Sequence, residues 1–294
     1  MITKSRLRVA AAGLAALGFL VALPASAATS AINSWSFNET DGSQVIDSIA
    51  GNNGVGAGDG LPTPSADVPF SDRGNTGSMY FSGEDYFKVT NTLSGDFSIC
   101  AWIRTSSGGG NNHWEVAPIV QSETGGFGYD YGFGINGFGK LTFGNGGDVA
   151  GVGQLDQTIA GNTVVNDNEW HHVCVSRNNL SGQVDLYVDG ELDGTGTTGT
   201  GLLTANPEAW IGDGQDGNVE YQGLIDELSF HATVLGSADV TKIFAPSPEE
   251  EEEQILDSEK NLADTGYSAE LMLYLSGALL LAGLAFLLLS RRRI

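Results

Sequence analysis

Between residues 32 and 245, Gly, Asn and Asp cut the chain into short apolar or alternating runs. The runs fall at 32–37, 78–81, 86–89, 97–105, 115–121, 131–135, 141–143, 170–177, 184–188, 209–212 and 224–230. Each has the length of a strand and none the length of a helix, and the 42 glycines supply turns between them. Asp189-Gly190 reads as a hairpin turn, because that pair readily takes positive φ angles. Only 237–244 has a helical signature, with Ser237 as its cap and Asp239 in its first turn. The expectation is an all-β domain over residues 28–245, an antiparallel sandwich with long polar loops at 51–77 and 148–168.

The two ends carry different physics. Lys4, Arg6 and Arg8 precede an apolar run at 9–23, and Ala25-Ser26-Ala27 follows, which reads as a secretory signal peptide over 1–27. Residues 271–290 are uncharged and, at 1.5 Å per residue, match the roughly 30 Å core of a bilayer, so a C-terminal transmembrane helix is expected. Arg291, Arg292 and Arg293 close it, as a cytoplasmic end would. Leu262-Ala263-Asp264-Thr265-Gly266 stands ahead of the span. That composite resembles the cell-wall sorting signal of Gram-positive surface proteins, in the variant with alanine where proline is commoner. The resemblance implies that a sortase-type transpeptidase cuts after Thr265 and joins it to a cell-wall precursor. If the sorting signal is not processed, the protein stays in the membrane through its single span. Either way the domain lies outside the cell.

Residues 246–261 hold two prolines and a run of five glutamates, and like charges keep such a segment extended, so it reads as an acidic stalk. The whole chain has 36 Asp and Glu against 13 Lys and Arg, and six of those 13 lie in the terminal segments. A nucleic-acid partner is excluded by that balance, since it needs a positive footprint.

Cys100 and Cys174 are the two cysteines, each inside a strand-like run. In an exported chain this suggests one disulfide between neighbouring strands; the alternative is two isolated buried thiols.

The ordered motifs sharpen the fold. Trp35-Ser-Phe-Asn-Glu-Thr-Asp-Gly42 opens the domain, Phe97-Ser-Ile-Cys-Ala-Trp-Ile103 follows, then Trp170-His-His-Val173 and Gly182-Gln-Val-Asp-Leu-Tyr-Val-Asp-Gly190, and Gly223-Leu-Ile-Asp-Glu-Leu228 closes it. This set resembles the laminin-G-like and pentraxin-like members of the concanavalin A-like lectin/glucanase superfamily. The resemblance implies an antiparallel jelly-roll sandwich, and the cysteines stand where pentraxins place an internal disulfide. Trp35, Phe37, Phe97, Ile99, Trp102, Trp170, Val173, Val175, Leu186, Val188 and Phe230 are the expected filling between its sheets.

Ca²⁺ takes six to eight oxygens from flexible loops. Two clusters offer them: Asp213, Gln215 and Asp216, whose turn matches part of the pentraxin calcium pattern, and Asp47 with Asp226, Asn38 and Glu39, where laminin-G-like domains often hold a structural calcium. With four histidines and both cysteines assigned to a bridge, the composition argues against zinc. Candidate sugar platforms are aromatics in Gly-rich loops: Trp114, Phe127, Tyr129, Phe138 and Tyr221. The superfamily's glucanases carry Glu-x-Asp-x-x-Glu on a strand, and that motif is missing from this sequence.

The expected role is a surface module that binds an extracellular glycan or glycoprotein without catalysis. A structural or protein-interaction part of the envelope, and a wall-attached glycoside hydrolase, are the alternatives.

Overall fold

The computed structural model describes residues 30–72, 74–126, 128–215 and 219–245. Its elements in chain order are β1 Asn33–Trp35, β2 Gln44–Val45, β3 Gly54–Gly58, β4 Thr63–Ser65, β5 Ser78–Ser82, β6 Asp85–Thr90, β7 Phe97–Thr105, β8 Ala117–Ser122 and β9 Tyr131–Ile135. There follow β10 Lys140–Asn145, β11 Asp148–Val149, β12 Gly153–Gln154, β13 Gln157–Val164, β14 Trp170–Arg177, β15 Gln183–Val188, β16 Glu191–Thr197, β17 Glu208–Ile211, β18 Gln222–His231 and the helix α1 Ser237–Phe244.

Two antiparallel sheets carry the domain. One has the order β16-β15-β14-β7-β18-β5-β4, with β1 also on β18; the other runs β13-β10-β9-β8-β17-β6-β3-β2. In a strand successive side chains face opposite ways, so one set of alternate residues builds the core. From the first sheet Ile99, Ala101, Ile103, Val173 and Val175 are buried in it, and from the second Phe87, Val89, Phe133, Ile135, Leu141 and Phe143 meet them. Trp35, Phe37, Phe97, Leu186, Val188 and Phe230 join as expected.

Trp102 and Trp170 do not. In β7 the inward phase belongs to Ile99, Ala101 and Ile103, which turns Trp102 outward against Phe70, His172 and Phe244. Trp170 pairs with Arg104 on that same outer phase and donates from Nε1 to Asp67 at 2.9 Å.

Cys100 and Cys174 lie directly opposite in the β7–β14 ladder and are bonded. They share the outer phase too, beneath α1, with Tyr187, Leu235 and Val240 buried around them. The cap of α1 is Gly236 rather than Ser237, which is the first helical residue; Asp239 Oδ2 accepts the Gly236 amide at 3.1 Å.

The hairpin at Asp189-Gly190 is present, with φ of 51° and 82°. The two long loops contain strands that sequence reasoning missed: β3 and β4 within 51–77, and β11, β12 and β13 within 148–168. β3 reads GVGAG and β13 QTIAGNTV, so neither shows clean alternation. Backbone pairing to β6 and β10 holds them instead.

Among the described residues no helix is long and apolar enough to cross a membrane. The signal peptide 1–27, stalk 246–261, sorting residues Leu262, Ala263, Asp264, Thr265 and Gly266, and span 271–290 all lie outside the described residues.

Candidate functional site

The outer face of the second sheet is where its surface chemistry concentrates. The ladder partners Val55, Lys88, Trp210, Gln121, Gly132, Gly144 and Thr158 form one row across seven strands. Their inward neighbours are Phe87, Ile211, Val120, Phe133 and Phe143, so alternation puts the row on the opposite face.

One half of that face is covered by the chain itself. The β7–β8 loop crosses over β9 and β10, where a Cβ on Gly132 would lie 2.1 Å from His113 O and one on Gly144 only 2.7 Å from His113 Cβ. Glycine at those two positions is what lets the loop lie down. Backbone bonds fix it, Gly109 N to Ile135 O at 3.0 Å and Glu115 N to Asn112 O at 2.9 Å.

The other half is open and carries an aromatic platform. Tyr86 and Trp210 stack with ring centroids 3.8 Å apart and planes 10° from parallel, both half-buried. Lys88 and Glu208, 3.3 Å apart, flank the pair. Two donors there are enclosed and lack a protein partner, Trp210 Nε1 and Gln121 Nε2. Unsatisfied buried donors are rare, and both of these are closed off from the open face. Neither Tyr86 nor Trp210 was a sequence candidate. The available signal was an aromatic in the polar phase of two separate strands, DYFKVT and EAWI.

The aromatics nominated from sequence scatter. Tyr221 is fully buried, edge-on to Phe81 at 6.2 Å, and donates to Leu224 O at 2.9 Å. It is a core residue and presents nothing to a ligand. Trp114 is half-buried and packs edge-on against His113 at 4.9 Å. Tyr129 donates to Asp148 Oδ2 at 2.9 Å. Phe138 is 69% exposed. Tyr129 and Phe138 flank opposite ends of β9 and form no common site. Phe127 lies outside the described residues.

The expected cation ligands also separate. Asp47 is 4% exposed, and both its oxygens are engaged: Ser34 N at 2.9 Å and Ile49 N at 3.1 Å on one, Asn33 Nδ2 at 2.7 Å, Ala50 N at 3.2 Å and Asn52 N at 2.9 Å on the other. Burial would raise its pKa, but those bonds outweigh it and hold the carboxyl below the usual range. Asp47 thus ties β1 to the following turn through five donors on its two oxygens.

Asp226 differs. It is fully buried, accepts Asn75 Nδ2 at 2.8 Å, and burial pushes its carboxyl up to about 8. The β1–β18 register ends with Trp35 paired to Leu228, and Gly77, two residues past Asn75, lies against Phe37 O and Asn38 Cα. Asn38 accepts Thr76 N at 2.7 Å, one residue from Asn75. Asn75 Oδ1 and Glu39 Oε2 are buried oxygens without a partner, and Glu39 with Asn38 lines a shallow cleft. Phe37 and Glu227, flanking this region, both hold left-handed backbone, with φ of 50° and 48°.

In the other nominated cluster Gln215 turns away from Asp213. Its amide donates to Gln121 Oε1 at 2.7 Å, and its own Oε1 accepts Asn206 Nδ2 at 3.1 Å. Asp213 accepts the Gly214 amide at 2.7 Å, and burial pushes it up to about 6. Asp216 lies outside the described residues.

A family model described as Laminin_G_3, Concanavalin A-like lectin/glucanases superfamily, matches residues 76–241, more than half of the chain. No curated protein matches. Among solved structures, domain 4 of AbnA, a GH43 extracellular arabinanase from Geobacillus stearothermophilus, in complex with arabinotriose, superposes with a TM-score of 0.55 at 18% identity, over 72% of this chain and 97% of that one. The binding domain of Paraclostridial Mosquitocidal Protein 1 gives 0.52 at 16% identity, over 73% and 51%. A botulinum neurotoxin type C structure, whose cell entry depends on two ganglioside molecules, gives 0.50 at 18% identity, over 73% and 50%. The chain spans about half the length of these two toxin chains. At such identities the likeness is one of fold.

Proposed function

Since the chain belongs to the Concanavalin A-like lectin/glucanases superfamily, we propose that it is a non-catalytic carbohydrate-binding module displayed outside the cell. The observation that carries this reading is the Tyr86–Trp210 stack with the exposed Lys88 and Glu208 beside it. A flat aromatic surface matches the C–H face of a sugar, and polar side chains beside it select hydroxyl positions. The similar structures include one holding arabinotriose and one whose cell entry depends on gangliosides, which is consistent with a glycan as ligand.

The reading includes a Ca²⁺ ion near Asp226, Asn75, Asn38 and Glu39. The donor set is all oxygen, as Ca²⁺ prefers, and two of those oxygens are buried without partners. Bound there, the ion would neutralise the buried Asp226 and fasten β1 to β18. The reading also includes export through residues 1–27 and attachment through Thr265, with 271–290 as the membrane span.

A glycan array probed with the purified domain, with and without chelator, tests the binding reading. Hits that vanish for Trp210→Ala support it. Reducing sugar released from a polysaccharide panel, or an array without hits beside a stable protein partner, would overturn it. Attachment is tested separately: Thr265→Ala should convert wall-linked protein into detergent-extractable protein.

A further inference from the structure

Beneath the covered half of the second sheet's outer face lies a cluster that the glycan reading does not use. His113, from the β7–β8 loop, is fully buried over Gly132 and Gly144. Glu123, just past β8, is 6% exposed, and Asp130, just before β9, is 1% exposed. One atom from each, a His113 ring nitrogen, a Glu123 oxygen and an Asp130 oxygen, can be chosen so that all lie within 4.8 Å of one another. His113 Nε2 stands 3.6 Å from Glu123 Oε2.

These atoms have nothing else to bond. His113 Nε2, Glu123 Oε2 and Asp130 Oδ1 are buried and unpartnered, and so is Asp156 Oδ1. The opposite atom of each group is occupied. Glu123 Oε1 accepts Gly125 N at 3.1 Å, Asp130 Oδ2 accepts Thr124 Oγ1 at 2.9 Å, and His113 Nδ1 faces Thr158 Oγ1 at 3.5 Å. With the proton on Nδ1 toward Thr158, Nε2 directs its lone pair into the cluster. Three side chains from three segments thus bring unpartnered buried atoms into one cluster.

We propose that His113, Glu123 and Asp130 form a buried site for a divalent first-row transition cation, Zn²⁺ or Mn²⁺. One imidazole with two carboxylates is a donor set for such ions, whereas Ca²⁺ takes oxygen alone. Metal–ligand bonds of about 2.1 Å place tetrahedral donors about 3.4 Å apart. The His113–Glu123 separation is already close to that. Glycine lets the backbone pass close to the acids: a Cβ on Gly146 would lie 2.9 Å from Asp156 Oδ1 and one on Gly128 about 2.4 Å from Asp130 Oδ2.

Charge favours the same occupant: Glu123 and Asp130 are two acids buried side by side with one imidazole, and a divalent cation offsets the negative charge that such a site concentrates. This sets the composition argument against zinc aside: the site needs neither a His-rich motif nor a cysteine, because the fold gathers single ligands from distant positions. The inference does not depend on the glycan reading.

The test uses the full chain, stripped with chelator, dialysed, and titrated with Zn²⁺, Mn²⁺, Co²⁺ and Ca²⁺ at pH 7 and pH 8. Expected are one equivalent of Zn²⁺ or Mn²⁺ not displaced by equimolar Ca²⁺, a raised melting temperature, and visible d–d absorption from bound Co²⁺. His113→Gln should weaken binding at least tenfold. Asp226→Asn should leave it unchanged, which separates it from the proposed Ca²⁺ ion. Since Asp130→Asn can impair folding, the Co²⁺ spectrum of the unaltered protein serves as the second readout. No uptake of any of the three transition ions by folded protein at pH 8, or uptake indifferent to His113→Gln, overturns the proposal and leaves a shared proton between Glu123 and Asp130.

Discussion

His171 Nδ1 meets Asp189 Oδ2 at 2.8 Å, and the other oxygen of that carboxylate accepts the backbone amide of His172 at 2.9 Å. One turn residue therefore holds two adjacent histidines whose rings have opposite fates. His171 keeps its ion pair at the sheet end, and the Asp189 bond raises its pKa. His172 is 2% exposed between Trp102 and Phe244, and burial pushes it down to about 4.

Their effects on stability have opposite signs. Unfolded His172 titrates near 6.5, so between about pH 6.5 and pH 4 the unfolded chain binds a proton that the folded chain refuses. Stability from this group falls as pH falls, by up to about 1.4 kcal/mol per unit. His171 contributes stability below its unfolded pKa and loses it as pH rises through its folded value. In calorimetry from pH 7 to pH 4.5 with chelator present, His172→Phe should flatten the decline in melting temperature. His171→Gln should steepen it. Identical slopes for all three proteins would sink this account of β14.

The disulfide makes a second prediction. Cys100 and Cys174 are 74 residues apart in sequence and opposite one another in the ladder, so bridging them restricts the unfolded chain far more than the folded one. The chain-entropy model puts the stabilisation at about 4 kcal/mol. The paired substitution Cys100→Ala with Cys174→Ala should lower the denaturant midpoint by a corresponding amount. Because α1 covers the bond, thiol reagents should reduce it slowly in native buffer and quickly in denaturant, readable by mass spectrometry.

How far this was legible in the sequence depended on what each residue's partners were. Cys100 and Cys174 could be placed because their own strands alternate strongly and a bridge between two cysteines has one pairing. The inward phase of β7 was legible in Ile99 and Ile103, yet Trp102 broke the rule that the largest apolar residue goes inside. Its partner is α1, which packs on the outer phase. Asp47 reads as a cation ligand in the sequence because an acid near the first strand has many uses, and the five donors around it come together only in the fold. His113, Glu123 and Asp130 are not adjacent in sequence, and no fixed spacing connects them. The loop that brings them together is positioned by Gly132 and Gly144, residues that look like ordinary strand glycines until something lies across them.

Arg177 carries the third prediction. It is fully buried at the end of β14 and donates from Nη2 to Gly199 O and Gly201 O at 2.9 Å each, and from Nη1 to Gly95 O at 3.1 Å. Its guanidinium lies 5.9 Å from the Phe97 ring centre. The planar fork thus closes three carbonyls from two loops, of which Gly199 O also accepts Asn145 Nδ2 at 3.0 Å. Arg177→Met keeps much of the apolar stem and removes every guanidinium donor, leaving Gly95 O and Gly201 O without that partner. Urea denaturation should show a loss of about 3–5 kcal/mol. Arg177→Lys should recover only part of it, since one ammonium cannot span the fork.

The platform gives the fourth. Trp210 is the larger ring of the stack and stands between Lys88 and Gln121 in the ladder, so it and Tyr86 should differ in what they contribute. Trp210→Ala removes the larger part of the aromatic surface, and the bound glycan should weaken by about tenfold to a hundredfold, or about 1.4–2.8 kcal/mol. Tyr86→Ala removes support from behind or beside that ring and should cost less, about threefold to tenfold. Phe138→Ala, at the far end of β9, should change nothing, although the side chain is 69% exposed. Isothermal titration with an array-selected oligosaccharide checks all three. The ordering matters more than any single value: equal losses at Phe138 and Trp210 would move the binding surface from the open sheet face to the loop end, because substitution of a residue remote from the sugar cannot weaken it without unfolding the domain.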